Sequence, residues 1–349
     1  MLRFELGHLP GQDSMLVFHA LARMGIESLV VVSPATPIIS IGYFQDAEKE
    51  VDLGYCRRVG LPVMRREVGG GATYLDGNQI FYQVILRRDN PLAQRRIQEI
   101  YEWLSQAPIE TYKAFGIKTF FRPVNDIVTD RGKKIAGEGG ADIGPCMVFV
   151  GGILLDFDYE AMTRALNVPD EKFRDKLYKT MKDNLTTMRE ELGELPPREE
   201  IVRVLVESFE KLVGPTKPAG LEAKVHAAMA DLESRFCSEA FLYKKTPKTP
   251  QGVTIRAGVE LRYGLHKAKG GLIRTVQEVV EDRFDKVTIS GDFSFFPKDN
   301  LAGLEQQLIS LPRESAAVRR RVEAYYEANP VESPGVDAVD YVKALDLER

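Results

Sequence analysis

An α/β architecture, with a mixed β-sheet and flanking helices followed by a small α+β unit, is predicted by three observations. Short β-branched runs alternate with stretches of helical apolar spacing through the first half of the chain. From Tyr159 to about Ala240 the pattern is almost wholly helical, and beyond Val253 the alternation of strands returns. Between these two regions lies the polar, proline-containing segment Lys244-Lys245-Thr246-Pro247-Lys248-Thr249-Pro250, which reads as an extended linker. The expected division is 1–243, a linker at 244–252, and 253–349.

The elements follow in order. From Asp13, MLVFHALARMG carries apolar residues at helical spacing, with Asp13 or Ser14 as cap and Gly25 as stop. Leu29–Val32 and Ile38–Phe44 read as strands, interrupted by Pro34 and Pro37, and Asp46–Gly60 as a mostly solvated helix. Pro62–Glu67 leads into Gly69-Gly70-Gly71, and Gln79–Leu86 resumes as a strand. Pro91–Phe115 is a long helical stretch. Thr119–Val128, Lys133–Ala136 and Met147–Asp156 read as neighbouring strands with a glycine-rich turn at Gly137, Gly139 and Gly140. In the last part, Val253–Tyr263 and Leu272–Val280 form a hairpin about Gly270-Gly271, followed by a strand at Val287–Ile289 and helices near Leu301–Ile309 and Ser315–Ala328.

Composition narrows the function. The 349 residues are 44% hydrophobic and 28% charged, the balance of a globular chain rather than a disordered one. With 47 basic against 51 acidic side chains the net charge is -4, so no cationic surplus is available for nucleic acid. Cys56, Cys146 and Cys237 are few, far apart and odd in number, as expected of reduced thiols in a cytoplasm. The N-terminus lacks the pattern of a secretory signal, and the longest apolar run, Cys146–Leu155, is about half of a membrane span. His8, His19, His226 and His266 show no metal-ligand spacing.

Two segments carry chemistry. In Arg65-Arg66-Glu67-Val68-Gly69-Gly70-Gly71-Ala72-Thr73-Tyr74-Leu75-Asp76-Gly77-Asn78, three glycines forgo about 1 kcal/mol each relative to alanine in regular structure. Close approach of backbone N–H groups to an anion is one reason; a plain turn with solvated arginines is the other. The glycines lie between two strands and no Gly-Lys-Ser/Thr follows, so neither a dinucleotide loop nor a Walker loop is present. The second segment is Asn125-Asp126-Ile127 followed by Lys133-Lys134-Ile135-Ala136-Gly137. Strand alternation sends Lys133 and Lys134 to opposite faces, and Lys134 is the one read as pointing inward as a point charge.

The order Arg-Arg-x-x-Gly-Gly-Gly-Ala, Gly-Asn, Asn-Asp-Ile, Lys-Lys-Ile-x-Gly and Gly151-Gly152-Ile153-Leu154-Leu155 resembles the catalytic domain of the lipoate-protein ligase A family. Gly270-Gly271-Leu272-Ile273 through Ser290-Gly291-Asp292-Phe293 resembles the accessory domain that follows it in many such ligases, so the likeness covers most of the chain. The resemblance implies the biotin and lipoate ligase type of fold, with ATP and Mg2+ used to activate lipoate or octanoate as an acyl-adenylate. The acyl group then passes to a lysine of a lipoyl carrier domain or an H-protein-like acceptor. It implies that Lys134 and Arg66 act in catalysis. Gly69, Gly70, Gly71, Ala72, Thr73, Tyr74, Asn78, Asn125, Asp126, Gly137 and Gly151 would surround the adenylate, with Asp126 a weak candidate for magnesium.

The chain departs from the family at Val68, where a serine is common, and at Leu75 and Val150, where histidines are common. The alternatives are an octanoyl transferase on the same fold, using a cysteine nucleophile without ATP, and a non-catalytic acyl-binding relative. In cysteine-dependent transferases the cysteine precedes the lysine motif, whereas Cys146 follows Lys134 and reads as packed. Biotin ligation is disfavoured because no Gly-Arg-Gly-Arg loop occurs.

Overall fold

The computed structural model describes residues 1–247 and 258–347. Its strands are β1 (Leu2–Leu9), β2 (Ser28–Pro34), β3 (Ile38–Ile41), β4 (Val63–Arg65), β5 (Thr73–Leu75), β6 (Gln79–Arg87), β7 (Thr119–Arg122), β8 (Asp126–Thr129), β9 (Lys134–Gly137), β10 (Gly139–Ile143), β11 (Cys146–Leu154), β12 (Lys217–Pro218), β13 (Val259–Ala268), β14 (Gly271–Val280) and β15 (Arg283–Gly291). A six-stranded mixed sheet runs β10-β11-β6-β2-β1-β12, with β1 parallel to β2 and β12 and the remaining pairs antiparallel.

This sheet separates two cores, as the period of two in its strands requires. On β6, Ile80, Tyr82, Val84 and Leu86 enter one core, beneath helices Ile97–Leu104, Gln106–Ala114 and Arg198–Val213. Phe81 and Ile85 face the other, against helices Gly11–Arg23 and Ala223–Phe236. The first helix starts at Gly11, before the expected cap. Pro10 holds the cap position without a side-chain bond, and the Gly11 N–H is satisfied by Thr36 Oγ1 at 2.9 Å. A residue from the following loop thus does the work expected of Asp13 or Ser14.

Four expectations are corrected. The helix expected over Asp46–Gly60 is two, Ala47–Glu50 and Leu53–Val59, because Val51 takes an extended conformation and bridges to Leu166. The stretch Pro91–Phe115 is divided into the short pieces Pro91–Ala93, Ile97–Leu104 and Gln106–Ala114. Gly139 and Gly140 are not a turn: they open β10, the edge strand of the main sheet, while β7, β8 and β9 form a separate small sheet. The Met147–Asp156 run is β11 of the main sheet, so it is not hydrogen-bonded to β9.

The last part keeps its expected hairpin, β13 with β14, extended by β15 and by helices Asn300–Leu308, Ser315–Ala328 and Ala338–Ala344, the last of them unforeseen. Most of the expected linker, 248–252, and the start of the hairpin, 253–257, lie outside the described residues. The preceding residues are pinned: Lys245 pairs with Glu305 at 3.0 Å, and Thr246 donates to Asp46 at 2.7 Å. Phe293 stacks on Phe44 with centroids 5.2 Å apart, so one apolar cluster runs from the first helix into this last part.

Candidate active site

The glycine loop is not a hairpin turn. β4 and β5 lie on opposite sides of β3, β4 parallel and β5 antiparallel to it, so the chain between them must cross the end of β3. It crosses at Gly42, where a Cβ would stand 1.8 Å from the carbonyl oxygen of Gly70. Only glycine permits that approach. The other side of the loop rests on residues after β15: a Cβ on Gly69 would meet Ser294 Oγ at 2.7 Å.

The two arginines ahead of the loop are both committed to backbone carbonyls. Arg65 is fully buried and its guanidinium donates to Gly42, Tyr43, Gln45, Phe241 and Leu242. Arg66 donates to Ser40 O at 3.0 Å, Gly69 O at 2.7 Å and Gly71 O at 2.8 Å. Burial lowers both guanidinium groups to about 10, still cationic at neutral pH. Arg66 lines the cavity, and its hydrogen bonds shape the loop as well. The N–H groups of Gly69 and Gly71 have no hydrogen-bond partner among the described residues.

Glu67 braces the loop from beneath. It is buried, pairs with Arg23 at 2.5 Å and Arg235 at 3.4 Å, and its N–H donates to His19 Nε2 at 3.1 Å. His19 is therefore the neutral tautomer with its proton on Nδ1, bonded to Met15 O at 2.6 Å, and burial lowers it to about 4.

Beside the loop opens a cavity of about 390 Å³. Its walls bring together Arg66, Gly69, Gly70, Gly71, Ala72, Thr73, Tyr74, Asn125, Lys134, Gly137 and Gly151 from the sequence-derived set. Part of the wall is one apolar cluster, Met15, Phe18, Val68, Leu75, Phe81 and Val150, which includes all three departures from the family pattern. Lys134 Nζ sits 2.6 Å from Asp126 Oδ1, its side chain 38% exposed. Half-exposed at the rim, it is less enclosed than an inward-pointing strand lysine was expected to be. A Cβ on Gly137 would stand 2.9 Å from that Nζ, so this glycine is the room the ammonium group occupies.

Two expected residues are not in the wall. Asn78 is exposed; its amide donates to Asp76 Oδ2 at 3.1 Å, and its carbonyl accepts from Leu155 at 3.0 Å and Asp156 at 3.2 Å, so it closes a turn beside the cavity. Asp126 stands behind Lys134. Burial alone would raise its carboxyl, but Lys134 and Arg122, the latter 2.8 Å away, hold it ionised below the usual range. That carboxylate is an ion-pair partner, and no group of three or more His, Cys, Asp or Glu among the described residues is placed to hold a metal. The residues do not fit a magnesium site of their own.

Glu138 and Tyr82 escaped the sequence reading. The signal was an acidic residue set among glycines, Gly137-Glu138-Gly139-Gly140, on an otherwise buried strand pair. Gly151 makes room for this pair: a Cβ there would lie 2.1 Å from Glu138 Oε2 and 2.5 Å from the Tyr82 hydroxyl. None of the three cysteines lines the cavity. Cys56 and Cys146 are buried, and burial pushes both thiols up to about 11. No helix among the described residues is long and apolar enough to cross a membrane.

The model of the lipoyl protein ligase A/B catalytic domain family matches residues 15–210. The chain is 27% identical to the octanoyltransferase LipM of Geobacillus kaustophilus, over 60% of this chain and 84% of that one. It is 30% identical to lipoate-protein ligase A subunit 1 of Thermoplasma acidophilum, over 43% of this chain and 59% of that subunit. Among solved structures, P. falciparum LipL1 in complex with lipoate superposes with a TM-score of 0.71 at 14% identity, covering 99% of this chain and 100% of that one, a likeness of fold.

Proposed function

We propose, from the premise that this chain belongs to the lipoyl protein ligase A/B catalytic domain family, that it is an ATP-dependent lipoate-protein ligase. The observation that carries the choice of ligase over cysteine-dependent transferase is the composition of the cavity wall: a lysine and a glycine loop line it, and no thiol does. Relatives of both kinds are similar to this chain, and the wall supports the ligase reading.

In the first half-reaction a carboxylate oxygen of lipoate or octanoate attacks the α-phosphorus of ATP, and pyrophosphate leaves. Two anions are brought together, so fixed cations and N–H donors are the main catalytic resource. Lys134 supplies the ammonium, Asp126 holds it in place, and the Gly69 and Gly71 N–H groups, without a partner among the described residues, belong to the loop that Arg66 fastens. The acyl chain lies along the apolar wall of Met15, Phe18 and Val68. Mg2+ would accompany ATP, since no carboxylate cage for it is found among the described residues. In the second half-reaction the amine of a lipoyl carrier's lysine attacks the acyl carbonyl and AMP leaves, while Lys134 stabilises the oxygen. In this reading the chain comprises a catalytic unit, 1–243, a linker, 244–252, and an accessory unit, 253–349.

The test is lipoate-dependent exchange between ATP and labelled pyrophosphate, run on the wild type and on a variant with Cys56, Cys146 and Cys237 all replaced by alanine. Exchange in both is the expected result; acyl transfer from a carrier thioester that needs no ATP and is lost in the variant supports the transferase reading instead. A further expectation concerns the crossing point. Gly42→Ala should displace the Gly70 carbonyl and lower exchange by about tenfold or more, since misplacing a catalytic group by about 1 Å costs as much as 100-fold. Unaltered exchange kinetics in Gly42→Ala would show that the loop need not cross so tightly.

A further inference from the structure

A cavity that receives a carboxylate carries a carboxyl group in its own wall. Glu138, between β9 and β10, is 4% exposed. Its backbone is fixed by Asn125, which accepts from the Glu138 N–H at 2.8 Å and donates through Nδ2 to the Glu138 carbonyl at 2.5 Å. The Tyr82 hydroxyl donates to Oε1 at 2.6 Å. Oε2 is buried, lies over Gly151 in the cavity wall, and has no hydrogen-bond partner among the described residues.

An ionised carboxylate in that position would leave a buried charge half-solvated by protein and would repel an incoming anion. A protonated one is neutral, and because Oε1 is taken as acceptor by Tyr82, the proton belongs on Oε2, where it is a donor in search of an acceptor. We propose that Glu138 binds the acyl donor in its protonated form, its Oε2–H donating a hydrogen bond to a carboxyl oxygen of lipoate. This rests on the reading of the cavity as the acyl site and adds a neutral donor to the cationic one at Lys134.

The groups around Glu138 agree with that protonation state. Burial is the largest influence and raises the acid to about 8; the Tyr82 hydrogen bond and the Lys134 charge pull it down, and Asp126 pushes it up. Tyr101 and Tyr112, the other titratable groups facing it from the helices beneath, are both held neutral by burial.

The test is calorimetric titration of the full chain with lipoate, without ATP, between pH 6.5 and 9, a range in which the carboxylate of lipoate itself does not titrate. Because binding takes the protonated acid, wild-type affinity should hold to about pH 7 and fall about tenfold by pH 9, as the group ionises near 8. Glu138→Gln, which donates but does not titrate, should bind within about threefold of wild type at pH 7 and show a flat profile; Glu138→Ala should be about tenfold weaker and also flat. Tyr82→Phe should move the wild-type fall to higher pH, since it removes a donor that favours the charged form. A Glu138→Gln profile parallel to the wild type, or Glu138→Ala binding as tightly as wild type at pH 7, overturns the assignment. If the wild type binds no lipoate at all, the acyl-site reading itself fails and this proposal with it, an outcome distinct from parallel curves.

Discussion

Lys134→Ala should lower lipoate-dependent pyrophosphate exchange by about two to three orders of magnitude, the cost typical of removing one preorganised donor from a developing negative charge. The fold should be indifferent to the change. Lys134 is half-exposed, and Asp126 keeps a second cation in Arg122 at 2.8 Å, so the lost ion pair is worth no more than about 1 kcal/mol. A melting curve close to the wild type alongside lost exchange therefore separates a chemical role from a structural one. Lys134→Arg should not restore the rate. The ammonium occupies the space left by the absent Gly137 side chain, where a Cβ would be 2.9 Å away, and a planar guanidinium does not fit a space shaped for a point charge. Wild-type exchange in Lys134→Ala would remove the centre of the proposed chemistry.

Arg65→Ala should be the most destabilising single substitution near the site. The guanidinium is fully buried and collects five carbonyl oxygens: those of Gly42, Tyr43 and Gln45 after β3, and those of Phe241 and Leu242 in the short helix Glu239–Leu242. Truncation leaves buried acceptors unpaired, a loss on the order of 3–5 kcal/mol. Lysine cannot substitute, having three donors in place of five and no planar fork. The measurement is the denaturant midpoint at unchanged slope. Because Gly42 lies under Gly70, a partly folded Arg65→Ala should also show weakened lipoate binding. A midpoint within error of the wild type would mean that water replaces the guanidinium, which its burial argues against.

Adjacent arginines bind different sets of carbonyls, a choice that local sequence does not report. Both were legible as cations ahead of a glycine loop, yet which carbonyls each one takes depends on residues as far away as Phe241 and Leu242. Asn78 and Asp126 carried motif-level expectations of ligand contact, and local hydrogen bonding and an ion pair hold them out of the wall. Glu138 went the other way. Nothing local marked it as neutral, since its state follows from burial beneath Tyr82, 56 positions earlier in the chain.

What the sequence determined by itself is what local periodicity and motif order report: the first helix, β6, the β13–β14 hairpin, and the set of segments that meet at one cavity. Side-chain alternation and glycine placement act over a few residues, so they survive being read one segment at a time. The crossing of the glycine loop over β3, the choice of carbonyls that Arg65 and Arg66 bind, and the unpaired oxygen of Glu138 were decided only by tertiary structure. Each depends on which polar groups are buried together, and the free energy of a buried polar group is set by partners that chain proximity does not reveal.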